Sequence, residues 1–107
     1  MRINELVKES YDRAQRKGHY DPEPTIEGRL CLIHSEVSEA LEAYRDDEMT
    51  TTLTESGKPE GLPSELADII IRVCDFAGHL GIDLEREIRL KSDYNETRPQ
   101  KHGRVRL

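Results

Sequence analysis

Apolar residues recur at helical spacing in four stretches of this chain, and only one of the polar breaks between them is long. Ile3, Leu6, Val7, Tyr11 and Ala14 predict a first helix over about 3–17, with Gly18 as its C-terminal stop. His19-Tyr20-Asp21-Pro22-Glu23-Pro24 reads as a turn, because two prolines exclude a continuing helix. Thr25 suits the N-cap of a second helix over 26–47, whose apolar stripe is Leu30, Ile33, Val37, Ala40, Leu41 and Tyr44. Residues 49–62 form a Thr- and Gly-rich polar loop, long for a helix connection. It is either a flap near a site or a variable insertion. Pro63 suits the first turn of a third helix over 63–80, striped by Leu66, Ile69, Ile70, Val73, Phe76, Ala77 and Leu80 and stopped by Gly81. Asp83 then caps a fourth helix, with Glu85 and Glu87 in its first turn and Pro99 bounding its far end. No strand pattern competes. The expected fold is all-α: a four-helix-bundle-type protomer whose second and third helices run antiparallel.

Composition adds an expectation about assembly. One domain spans 1–107, with a flexible loop at 49–62 and a basic tail at 97–107. Hydrophobic residues make up 35% and charged residues 36%, an apolar-poor balance. A chain this short buries only about two-thirds of its unfolded surface, so homodimerisation is expected to complete the core. The net charge of −6 makes nucleic-acid binding unlikely. The tail does hold Arg98, Lys101, His102, Arg104 and Arg106 without an acid, but the body is acidic. No apolar run approaches the ~20 residues of a membrane span. Met1 to Leu6 have no signal-peptide layout. Cys31 and Cys74 form no C-x-x-C pattern and are expected to be reduced and buried, in a cytoplasmic protein.

Candidate chemistry lies on the two central helices. Glu36 and Glu39 are three apart on the second helix, and Glu65 and Asp68 three apart on the third. Such pairs share a helix face. Glu36 has Leu32, Ile33 and Ala40 among its helical neighbours, where an unpaired charge is costly. Each pair lies on the same-handed edge of its apolar stripe, so antiparallel packing brings four carboxylates to one groove. Oxygen-rich sites of this kind take Mg²⁺ first and Mn²⁺ next. Glu42, Glu85 and Glu87 read as ordinary surface acids. Asp75 is a fifth ligand, a support for one, or a partner for Arg72. A di-iron site needs Glu-x-x-His pairs, and none of the four histidines follows a glutamate by three. His34 and His79 read as structural or solvated.

Glu36-x-x-Glu39, twenty-five intervening residues, Glu65-x-x-Asp68, and the run Lys91-Ser-Asp-Tyr-Asn95-Glu-Thr-Arg98 together resemble the MazG-like all-α nucleoside triphosphate pyrophosphohydrolases. The resemblance covers nearly the whole chain. It implies a dimer or dimer of dimers that hydrolyses a nucleoside triphosphate to the monophosphate and pyrophosphate with Mg²⁺. It carries metal binding onto Glu36, Glu39, Glu65 and Asp68, and triphosphate contact onto Lys91, Asn95 and Arg98. A general base for the attacking water falls to Glu36 or Glu39, and the residues do not choose between them. The family often has a tryptophan near the end of the first helix, where this chain has His19-Tyr20, so base preference stays open. Tyr20 and Tyr94 could stack on a base, and His102 could touch phosphate. The alternative function is a non-catalytic helical dimer that binds nucleotide or metal as a regulatory module.

Overall fold

A computed structural model describes residues 2–99. It contains α1 (Ile3–Arg16), α2 (Ile26–Arg45), α3 (Leu62–Leu80) and α4 (Leu84–Thr97). The expected caps are present. Thr25 Oγ1 accepts a hydrogen bond from the Gly28 amide at 2.9 Å, and Asp83 Oδ1 accepts one from the Arg86 amide at 3.1 Å. Gly81 ends α3 in the left-handed region, and the Ile82 amide reaches back to the Ala77 carbonyl at 2.9 Å. Helix α2 stops two residues earlier than its periodicity suggests, with Asp46 as the cap and Asp47 at a φ of 60°.

The polar loop does contain strand, against expectation. β1 (Thr52–Leu53) and β2 (Pro59–Glu60) pair antiparallel as a small hairpin. Two-residue strands carry no period for a sequence to display. The segment leading into the hairpin is tied to the start of α3 by the Leu62 amide, which donates to the Glu48 carbonyl at 2.8 Å. Gly61 makes this junction possible. Its φ is 120°, and a Cβ there would stand 2.3 Å from the Thr50 carbonyl oxygen.

Helix α3 is the centre of the molecule, with α1 and α2 packed against it and α4 against α1. Val7, Cys74 and Ala77 are buried together, with Ile3, Leu6 and Leu84 around them. Asn4 links α1 to α4: its Nδ2 donates to Asp83 Oδ1 at 2.9 Å, and its Oδ1 accepts from the Glu85 amide at 3.2 Å. Among the described residues no helix is long and apolar enough to cross a membrane.

Two expectations about burial are corrected. Most of the apolar stripe of α2 is left uncovered, Ala40 being its one buried member. Leu30, Val37, Leu41 and Tyr44 are 54, 47, 46 and 61% exposed. The buried face of α2 is Arg29, Ala40 and Ala43, because small side chains allow close approach and Arg29 finds a buried partner on α3. Cys31, next to Leu30, is therefore exposed, whereas Cys74 is buried as expected. In the basic tail, Arg98 and Pro99 are described; Lys101, His102, Arg104 and Arg106 lie outside the described residues.

The α1–α3 contact is close enough to exclude a methyl group. A Cβ on Gly78 would stand 2.6 Å from the Tyr11 Cβ. Gly78→Ala is expected to lower unfolding free energy by about 1–3 kcal/mol, the usual cost of overpacking. Urea denaturation measures it, and an unchanged midpoint would contradict this packing.

Candidate metal centre

The site begins with a buried ion pair that sets the register of α2 on α3. Asp75 is 0% exposed and Arg29 6%. Asp75 Oδ1 accepts hydrogen bonds from Arg29 Nη2 and from the Tyr20 hydroxyl, both at 2.5 Å. Its Oδ2 faces Arg72 Nη1 at 3.2 Å as an ion pair, without hydrogen-bond geometry. Of the three roles open to Asp75, partner for Arg72 is the one found, with Arg29 as a second partner that the sequence reading missed. A signal for it existed: Arg29, Glu36, Ala40 and Ala43 share one helix face.

Tyr20 is absorbed into the same network. Its ring stacks on His79 at 4.4 Å, meets Tyr11 edge-on at 5.2 Å and lies under the Arg29 guanidinium at 4.6 Å. Burial pushes its phenol well above the ordinary value, and the bond to Asp75 adds to that. Tyr20 is thus a packing residue and not an open platform for a base. His79 is structural: Nδ1 pairs with the Tyr11 hydroxyl and Nε2 with Glu23 Oε1, each at 3.1 Å. His34 is exposed.

With Arg29 opposite Asp75, the same antiparallel register sets Glu36 against Asp68 and Glu39 against Glu65. One carboxylate oxygen each from Glu36, Glu65 and Asp68 lie within 4.8 Å of one another. Glu39 lies beside them, close enough to Glu36 and to Glu65 to repel both. Three of the four predicted carboxylates therefore converge, with Glu39 next to them but outside the triad. Burial pushes the Glu36 carboxyl up, the neighbouring Glu39 and Asp68 push it further, and Arg72 opposes them. Burial likewise raises Glu65, helped by Asp68, Glu39 and Glu60 and opposed by Lys58.

The donor set fits a hard divalent cation. Glu65 Oε2 is buried with no hydrogen-bond partner. The oxygens come from carboxylates alone, as Mg²⁺ and Mn²⁺ prefer. In a Mg²⁺ octahedron neighbouring ligands stand about 3.0 Å apart and opposite ones about 4.2 Å, so the three oxygens would draw closer together around an ion. Beyond Glu39 and Glu65 the groove opens into a cavity of about 320 Å³ that also receives Glu42, Asp46, Glu48 and Glu60, with Lys58 on its wall. Glu42, read from the sequence as a plain surface acid, belongs to this wall.

Lys91, Asn95 and Arg98 stand apart from the acids within one chain. Lys91 and Asn95 are on the distal part of α4 and Arg98 is its C-cap, with no hydrogen bond or ion pair to the acidic cluster among the described residues. Arg98 lies 5.6 Å over the Tyr94 ring. Comparisons with protein-family models, with curated proteins and with solved structures return no match.

Two outcomes follow from these charges. Asp75→Ala leaves two arginines without their buried anion, an expected loss of about 3–5 kcal/mol in denaturation experiments. The acidic cluster acts in the opposite sense. Glu36 and Glu65 hold protons more tightly folded than at their ordinary 4.5. Their stabilisation is present below that value and is lost as pH rises through the raised folded values. Glu36→Gln is therefore expected to melt higher than wild type at neutral pH without metal, the gap shrinking on acidification. Mn²⁺ is expected to stabilise wild type by about 2.7 kcal/mol at a hundredfold excess over its Kd, and the variant much less. Equal melting curves with and without Mn²⁺ would sink the metal assignment.

Proposed function

We propose that this chain is a Mg²⁺-dependent nucleoside triphosphate pyrophosphohydrolase of the MazG-like type, working as a homodimer or dimer of dimers. The observation that carries the reading is the convergence of Glu36-x-x-Glu39 and Glu65-x-x-Asp68 on facing helices, with a buried Glu65 oxygen left unpartnered. Glu36, Glu39, Glu65 and Asp68 would hold the cation. Bound there, it supplies charge neutralisation for phosphate oxygens and an acidified water as nucleophile. Glu39 is the better base for that water: it lies outside the tight triad and borders the open cavity.

Assembly is supported by what the protomer leaves uncovered. Beside the uncovered stripe residues of α2, Leu66 and Ile70 on α3 and Ile88, Leu90 and Tyr94 on α4 are exposed. Apolar surface of this extent marks an interface. The distal part of α4 lies apart from its own chain's cluster, so in a dimer its Lys91, Asn95 and Arg98 are available to the partner's site.

The test is a screen of common NTPs and dNTPs with Mg²⁺, with products resolved. Monophosphate plus pyrophosphate is expected. Orthophosphate release, or metal binding with no turnover of any nucleotide, would replace this reading, the latter by a regulatory module. Glu39→Gln should lower kcat by a factor on the order of 10²–10⁴ while circular dichroism remains helical.

A further inference from the structure

Among the described residues, Lys58 is the single cationic one on the wall of the acidic cavity, which it shares with six carboxylates. Its position is set by the hairpin. The Lys58 amide donates to Thr54 Oγ1 at 3.1 Å, and the Lys58 carbonyl accepts from the Thr54 amide at 3.0 Å. The hairpin is itself tied to α3 by the Ser64 hydroxyl, which donates to the Pro59 carbonyl at 3.2 Å, so the side chain issues from a fixed backbone. Its ammonium is not consumed locally. The nearest acid oxygen, Glu60 Oε1, is 3.8 Å away, and the two side chains are 72 and 42% exposed. Such a pair contributes less than about 1 kcal/mol.

A triphosphate entering an acidic groove needs cations beyond those that a metal supplies. Within one chain, Lys91 and Arg98 are not at the cavity, whereas Lys58 is. A lysine ammonium is a mobile point charge well suited to phosphate oxygens.

We propose that Lys58 is a substrate-contacting residue, its ammonium binding the phosphate chain of a nucleoside triphosphate at the Glu36–Glu39–Glu65–Asp68 cluster. The inference rests on the pyrophosphohydrolase reading and turns the 49–62 segment from a connection into a wall of the active site.

Lys58→Ala and Lys58→Arg separate the possibilities. With a nucleotide that wild type hydrolyses, Lys58→Ala should raise KM about tenfold, equivalent to about 1.4 kcal/mol, and weaken inhibition by inorganic pyrophosphate by a similar factor. Lys58→Arg should recover most of both. Mn²⁺ binding to nucleotide-free Lys58→Ala, followed by calorimetry, should be unchanged or tighter, because a repelling cation is gone. Unchanged KM and pyrophosphate inhibition in Lys58→Ala would overturn the role of Lys58 and leave the parent reading standing. Lost Mn²⁺ affinity would also overturn it, by showing that Lys58 only supports the cage. A wild type that hydrolyses no nucleotide would overturn both.

Discussion

Asp75 and its two arginines set the geometry from which the rest follows. A fully buried carboxylate is tolerable only with charge and hydrogen bonds around it, and Arg29 from α2, Arg72 from α3 and Tyr20 from the 17–25 turn supply them. Because Arg29 is seven residues before Glu36 and Asp75 seven after Asp68, the pair acts as an index mark. Fixing it fixes Glu36 against Asp68 and Glu39 against Glu65. A slip of α2 along α3 by one turn would break the buried pair and scatter the acids.

The molecule thus places opposite electrostatic situations along one helix interface. At the Asp75 end two cations surround one anion. At the Glu65 end carboxylates crowd together, with Arg72 and Lys58 as the nearby opposing charges. Arg72 joins the two ends, contacting Asp75 while softening the repulsion on Glu36. The acidic end stores a mutual repulsion that a bound divalent cation would relieve, which would link binding and folding there.

Much of this was legible in the residues. Helix spans, caps at Thr25 and Asp83, the stop at Gly81 and the four acids at i, i+3 spacing all express local rules. The hairpin was not legible, since two-residue strands show no alternation. The buried face of α2 was misread because its strongest apolar stripe was assigned to α3. Arg29, Ala40 and Ala43 form a weaker pattern, yet the buried charge pair and close packing give that face to α3 and leave Leu30, Val37, Leu41 and Tyr44 outside.

The sequence by itself determined an all-helical chain and the pairing of carboxylates within each helix, because both depend on contacts three or four residues apart. Tertiary structure alone decided that the two pairs meet, that Tyr20 is spent on Asp75 and that Lys58 borders the site. Those relations join residues far apart in the chain, and only the depth and register of the α2–α3 contact selects among the faces each helix could have offered.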